Sequence, residues 1–177
     1  MSPRTPRRLG SLLAALIGLL VAALLTGCGA GGRPGTAVVV GDQRYTPAQV
    51  VEATAQINSA LAGSGDAATE AQIVNLLVLG PFVLAQAQGR GLWTPGNQYN
   101  SFVAKIHNPT PTTVAALRAN SAFLALDDEA KEAVLADMKA ATIQIDPRYG
   151  TLDLATGFLA TPNPDWIART STAAADK

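Results

Sequence analysis

Residues 73–84 read Ile-Val-Asn-Leu-Leu-Val-Leu-Gly-Pro-Phe-Val-Leu, and this stretch is apolar at almost every position. Apolar residues spread around a helix, rather than confined to one stripe, predict a helix that is buried on most sides. We expect this central helix to begin near Asp66 or Ala67. Gly80 and Pro81 interrupt it, and proline lacks the backbone N–H of a regular helix. Because the apolar pattern resumes at once, we expect a kink rather than an end.

Shorter helical segments flank the central stretch. Thr46 precedes Pro47 and has Gln49 three residues after it, which is a capping-box arrangement at the start of a helix. We expect that helix to run through Ala62. Three later helices are predicted at residues 94–106, 111–126 and 127–140. In the segment 111–126, the face that carries Val114, Leu117, Phe123 and Leu124 is expected to be the apolar side.

Strand signals lie at both ends of the helical region. The β-branched run 36–40, the turn at Gly41-Asp42 and residues 43–45 predict a hairpin, and the alternating residues 142–146 predict a further strand. The simplest arrangement pairs that strand with the hairpin. The predicted fold class is therefore mainly α with a small β element, in one domain at residues 36–150.

The segment that follows, residues 151–177, is rich in Thr, Pro and Ala. We expect it to be an irregular C-terminal tail, ordered at most near Phe158 and Trp166.

The N-terminus has the pattern of a secretory signal. Arg4, Arg7 and Arg8 precede an apolar run at 9–25, and the sequence Leu-Thr-Gly-Cys ends at Cys28. These four residues resemble the bacterial lipobox, which implies cleavage before the cysteine and attachment of a diacylglyceryl group and further acyl chains such as palmitate to it. Residues 1–27 would then be a signal peptide and 28–35 a Gly-rich tether, with the mature domain held on the extracytoplasmic face of the cell membrane.

The alternative is an uncleaved transmembrane anchor, since about 17 apolar residues reach the lower limit for spanning a bilayer. The Thr-Gly-Cys sequence and the Gly-rich tether that follows favour the lipoprotein, because a lipid-anchored domain needs a flexible connection.

Composition narrows the possible partners. Without the three arginines of the signal, 10 Lys and Arg face 13 Asp and Glu, a balance of about −3. A nucleic-acid-binding protein would need a clustered basic face, so nucleic acid is excluded as an expected partner. Cys28 is the only cysteine, so no disulfide is expected to support the fold.

Two further stretches resemble the SurA N-terminal domain of extracytoplasmic chaperones. The first is Ala-Val-Val-Val-Gly-Asp at 37–42, leading to Tyr-Thr-Pro-Ala-Gln-Val at 45–50. The second, residues 143–153, is similar to the strand-plus-PRYG-T-x-D ending of SurA-like lipoproteins from high-GC Gram-positive bacteria. The resemblance implies binding of unfolded or extended polypeptide. No parvulin domain fits between these elements, so prolyl isomerase activity is not expected.

No residue pattern predicts catalysis, a metal or a cofactor. His107 is the only histidine and has no cysteine partner or neighbouring carboxylate with which to form a metal site or a triad. The carboxylates Asp127, Asp128, Glu129 and Glu132 stand at a predicted helix start, where negative charge stabilises the helix dipole.

Candidate polypeptide-binding residues are aromatic or lie in the Pro-led turn at 147–150. They are Phe102, Phe123, Arg148, Tyr149 and Trp166, and Trp93 is a further aromatic residue that could line an apolar groove. The alternative for most of the aromatic residues is a place in the core. The alternative for Arg148 and Tyr149 is a structural turn with the tyrosine packed back on the strand.

Three functions are therefore under consideration. The first is a membrane-tethered, chaperone-like module that binds polypeptides. The second is an adaptor or assembly lipoprotein that holds one folded partner, and the third is a prolyl isomerase, suggested by family association alone.

Overall fold

The computed structural model describes residues 35–65 and 67–160. The predicted signal peptide, Cys28, almost all of the tether and Trp166 lie outside the described residues. The described part is mainly helical with small antiparallel β elements, as the sequence predicts.

Five α-helices make up most of the described chain. They are α1 (Pro47–Ala60), α2 (Glu70–Gly89), α3 (Asn97–Val103), α4 (Pro111–Phe123) and α5 (Asp128–Ala140).

Two small sheets accompany the helices. Strands β1 (Val38–Val40), β2 (Gln43–Tyr45) and β3 (Ile143–Ile145) form one sheet in the order β2-β1-β3, and β4 (Thr151–Asp153) pairs with β5 (Phe158–Ala160) in the other. In the first sheet, Val38 stands opposite both Tyr45 and Ile145. The predicted pairing of the N-terminal hairpin with the strand after the last helix is confirmed. It joins the two ends of the helical region.

Capping boxes set the starts of α1 and α2. Thr46 and Gln49 form the predicted reciprocal pair, and α1 ends at Ala60, slightly earlier than expected. Thr69 and Gln72 form the same arrangement at the start of α2. This second box, which is not among the sequence-based predictions, explains why α2 begins at Glu70 rather than near Asp66 or Ala67.

Helix α2 continues through Pro81 without a break. A proline inside a helix costs about 3 kcal/mol or more. Burial of each valine or leucine side chain stabilises the folded state by about 1.5–3 kcal/mol. Val78, Leu79 and Val83 are all buried around this point. The packing of the helix on both sides of Pro81 therefore outweighs the lost backbone bond.

Most of the circumference of α2 is covered by other elements, and eight of its residues are buried. Its length and hydropathy would also suit a membrane span, but half of its apolar window is buried inside the protein. Helix α4 lies close against it, since a Cβ built at Gly80 would be 3.4 Å from the Cβ of Ala119. Ala116 and Ala122 of α4 are also fully buried. Small residues on both helices thus permit the close approach.

The prediction of an irregular tail is wrong for residues 151–160, which form the β4–β5 hairpin. Asp153 Oδ1 accepts a hydrogen bond from the backbone N–H of Ala155 in the turn. Asn75 Oδ1, within the apolar stretch of α2, accepts a hydrogen bond of 2.9 Å from the backbone N–H of Leu159. These strands are three residues long, and their order depends on docking to α2, which a local sequence pattern does not reveal.

We predict that Gly150→Ala destabilises the domain by at least about 2 kcal/mol. Gly150 has φ +124°, and a Cβ there would collide with the carbonyl oxygen of Ala160 on β5. Gly63→Ala is the matched control, because Gly63 has φ +92° but open space around it, so only backbone strain of about 1 kcal/mol is expected. Urea unfolding of residues 29–177 measures both. Equal losses for the two variants would contradict the docked position of the hairpin.

Candidate functional site

A groove of about 620 Å³ lies where α1, α3 and α4 come together. We call it the α4 groove and define it by its main apolar lining residues, which come from α1, α3, α4 and the connections beside them. These residues are Ile57, Leu61, Trp93, Tyr99, Phe102, Leu117 and Leu124. The polar side chains of Gln98 and Asn120 also line it. A concave, mostly apolar site with a few polar groups is the usual form of a binding site.

Helix α4 presents two different faces. Ala116, Ala119 and Ala122 are buried, whereas Leu117, Asn120, Ser121 and Leu124 line the groove. Positions three, four and seven residues apart share one side of a helix, so the second set forms a continuous strip along the groove. The expected apolar side is only partly right, since Leu117 is buried but Leu124 is 77 % exposed.

Aromatic side chains form the wall opposite this strip. Trp93 is 7 % exposed, and its indole Nε1–H donates a 3.0 Å hydrogen bond to Ser121 Oγ. The ring of Tyr99 meets the Trp93 ring edge-on, with centroids 5.9 Å apart. Edge-to-face pairs of this kind are favourable beyond the area that they bury. The wall is therefore held in place by packing and by a hydrogen bond to the facing helix.

Leu124 is the most exposed large apolar side chain in the described part of the chain. It caps the C-terminal end of α4 and lies at the rim of the groove. A single exposed leucine is ordinary, but one that adjoins an apolar concave surface extends that surface toward solvent.

Two amide side chains of α1 hold the surroundings of the groove. Asn58 makes paired hydrogen bonds with the backbone of Ala68, of 2.9 and 2.7 Å, and Ala68 lines the groove. Gln56 Oε1 accepts hydrogen bonds from the Thr110 N–H at 3.0 Å and from the Thr113 hydroxyl at 2.6 Å. Neither residue stands out in the sequence, since the partners of both lie 10 or more positions away.

The groove brings together only some of the predicted site residues. Trp93 and Phe102 line it. Phe123 points elsewhere and packs edge-on against Phe158 of β5, with ring centroids 5.9 Å apart. Cys28 and Trp166 lie outside the described residues.

Arg148 and Tyr149 lie in a 3₁₀ turn at Pro147–Tyr149, outside the groove lining. The guanidinium of Arg148 forms an ion pair of 2.9 Å with Asp146 and lies 5.7 Å from the centre of the Tyr149 ring. Tyr149 is 4 % exposed, which agrees with the alternative of a structural turn with its tyrosine packed inward. No polar atom in the described residues pairs with its hydroxyl, and burial, followed by the nearby charge of Glu70, raises the pKa of that hydroxyl.

His107 lies beside Asn108, whose Nδ2 is 3.0 Å from His107 Nε2. Within residues 35–65 and 67–160, no three or more His, Cys, Asp or Glu side chains cluster where they could hold a metal ion. Asp127 accepts a hydrogen bond from the Ala130 N–H as the cap of α5, and Asp128 and Glu129 lie in its first turn. These carboxylates therefore have the helix-start position that the sequence analysis predicts.

No protein-family model, curated protein or solved structure matches this chain. The geometry of the groove therefore carries the functional argument. Its apolar walls can bury large apolar side chains, while the Gln98 and Asn120 amides can exchange hydrogen bonds with a polar backbone.

We predict that Asp146→Asn lowers stability at neutral pH but not in acid. Burial acts to raise the pKa of Asp146, but the hydrogen bonds and charge of Arg148 together hold it below its ordinary value. A lowered pKa contributes stability above the unfolded-state value of about 3.9, and this contribution is lost as the pH falls through the folded-state pKa. Chemical unfolding from pH 7 to pH 2 measures the difference between the two proteins.

Asp42→Asn is the control for that series, since it removes an exposed carboxylate from the β1–β2 turn. A difference between wild type and Asp146→Asn that persists unchanged at pH 2 would show that the ion pair is not its source.

Proposed function

We propose that this protein is a polypeptide-binding module, chaperone-like and without isomerase activity, tethered outside the cell membrane by lipid on Cys28. The observation that carries the proposal is the α4 groove, with its aromatic wall and the exposed Leu124 at its rim. The proposed location at the membrane is inferred from the lipobox-like residues 25–28. The resemblance of residues 37–50 and 143–153 to SurA-like lipoproteins agrees with the same class of ligand.

The groove suits an extended segment of an unfolded protein. Alternate side chains of an extended chain point to opposite sides, so apolar residues at every second position can enter the groove together. Each buried large apolar side chain contributes about 1.5–3 kcal/mol, but ordering the segment costs part of this gain. We therefore expect weak binding that depends on apolar content more than on a particular sequence.

The adaptor hypothesis has one observation in its favour. Leu154 and Phe158 of the β4–β5 hairpin are 40 % and 45 % exposed, which places a second apolar surface away from the groove lining. Crosslinking in membranes separates the two hypotheses. Many weak adducts through the groove support polypeptide binding, whereas one dominant adduct through the hairpin supports the adaptor.

We predict that Leu124→Glu weakens binding of an unfolded client by about tenfold or more, because a charge at the rim opposes burial of apolar side chains. Leu124 is exposed, so the fold is expected to be unaffected. Fluorescence anisotropy with a labelled, reduced and alkylated unfolded protein measures the affinity for residues 29–177.

Val51→Glu is the matched control, since Val51 is 50 % exposed on α1 and does not line the groove. Equal affinities for wild type and both variants, or no client binding at all, would overturn the proposed function. A proline-isomerisation assay on the same protein is expected to show no turnover.

We predict that Cys28→Ala abolishes incorporation of a radiolabelled or clickable fatty acid, because the sequence then has no thiol to acylate. The variant should also leave the membrane fraction or accumulate as uncleaved precursor. Lipid labelling that persists in the Cys28→Ala protein would disprove the anchor, and Ser11→Ala within the signal provides a control that keeps the cysteine.

A further inference from the structure

A second cavity, separate from the α4 groove, lies between strand β2 and the helices α2 and α4. We call this cavity of about 350 Å³ the β2 crevice and define it by its main apolar lining residues, Leu76, Leu77, Pro81, Leu84, Val114 and Ala115. Gln43 and Tyr45 of β2 and Arg118 of α4 also line it. None of the residues that line the β2 crevice lines the α4 groove, so the two sites are distinct.

Arg118 is the only charged side chain among the described residues that line the β2 crevice. It is half-buried, and the three ion pairs within residues 35–65 and 67–160 all involve other side chains. A guanidinium carries a permanent positive charge, and its planar set of N–H donors matches the two oxygens of a carboxylate. A ligand that complements this crevice therefore combines an anionic group with apolar groups that the walls can bury.

The charge stands at one end of an apolar strip on α4. The residues of α4 that line the crevice are Pro111, Val114, Ala115 and Arg118. Positions three, four and seven residues after Pro111 share its side of the helix. The strip is about 10 Å long, which is the length of about three residues of an extended chain. A charge at the end of so short a strip fits a group at the end of a chain.

Strand β2 has an open edge beside the crevice. The sheet order is β2-β1-β3, so β2 pairs on one side only. Val40 and Gln43 stand opposite each other across a two-residue turn. Hydrogen-bonded pairs alternate from such a turn, so the backbone groups of Gln43 and Tyr45 face β1, whereas those of Arg44 face the open edge. The Tyr45 carbonyl accordingly accepts a 2.8 Å hydrogen bond from the Ala37 N–H.

The side chains of β2 show which face of an added strand would meet the crevice. Gln43 and Tyr45 line it, whereas Arg44 between them is exposed and does not. An added strand continues the pleat of the sheet, so every second side chain of that strand points into the crevice.

We propose that the β2 crevice binds the C-terminus of an extended peptide. The peptide backbone pairs with Arg44 on the open edge of β2. The side chains of its last residue and of the residue two positions earlier enter the crevice, and its terminal carboxylate pairs with the guanidinium of Arg118. Strand addition beside a pocket for alternate side chains is an established mode of peptide recognition. This site differs from the α4 groove, which is proposed to bind apolar segments wherever they lie in a chain.

Fluorescence anisotropy with an N-terminally labelled hexapeptide, Gly-Ser-Thr-Val-Thr-Leu, tests the carboxylate contact in the full-length protein in lipid nanodiscs. We expect the free acid to bind at least about tenfold more tightly than the same peptide with a C-terminal amide, because only the acid pairs with Arg118. In Arg118→Gln this preference should disappear.

Arg44→Gln is the matched control for Arg118→Gln. It removes the same charge from the exposed face of β2 but leaves the backbone and the crevice lining in place, so the preference for the free acid should persist. Equal affinities of the wild type for acid and amide, or a preference that survives Arg118→Gln, would overturn the proposal.

N-methylated peptides test the pairing with the edge of β2. Alternate N–H groups of an added strand face its neighbour, so methylation of the valine nitrogen and of the following threonine nitrogen should have different effects. We expect one of the two to weaken binding by about 2- to 10-fold more than the other. Equal affinities of the two methylated peptides would indicate a site for an apolar anion such as a fatty acid and would overturn strand addition.

Leu124→Glu separates this site from the α4 groove. We expect that variant to keep the preference for the free acid. A preference that is lost in Leu124→Glu but kept in Arg118→Gln would place the carboxylate in the α4 groove and contradict the inference. A protein that prefers the free acid but binds no unfolded client would leave the β2 crevice supported and overturn only the proposed function.

Discussion

The burial of α2 around most of its circumference is the constraint on which the rest of the structure depends. A helix with apolar residues on most sides has no stable exposed face, so other elements must cover it. Helices α4 and α5, strand β1 and the β4–β5 hairpin all contact it. The close approach of α4 requires small residues, and Gly80 against Ala119 meets this requirement.

The groove follows from the same constraint. Because α4 uses its alanine face to cover α2, its larger residues must point to the other side. There they meet the short helix α3 and the end of α1, and the two sides do not close completely. Hydrogen bonds with Asn58 and Gln56 fix the connections at Ala68 and Thr110. The groove is thus a gap that remains between packed helices, and apolar side chains line it.

The elements were more predictable than the site. Helix α1 with its capping box and the apolar character of α2 agree with the sequence-based predictions, since each depends on local spacing. The pairing of β1 with β3 also agrees, but it was inferred as the simplest arrangement of the strands at the two ends. The second capping box at Thr69 carried the same signal and was overlooked. Phe102 and Trp93 were identified as groove candidates and line the groove, but Phe123, also a candidate, packs against Phe158 instead. The error at Phe123 arises because apolar periodicity cannot tell which of two helix faces meets a given neighbour.

The sequence by itself determined the helical class, the N-terminal cap of α1, the strand signals and the presence of a single cysteine. All of these depend on residues close together in the chain. Only the tertiary structure decided that residues 151–160 form a hairpin and that Asn75 of α2 accepts a hydrogen bond from the backbone of that hairpin. It also decided where the groove lies. Such features depend on which distant surfaces come into contact, and the free energy of those contacts is not expressed in any local pattern.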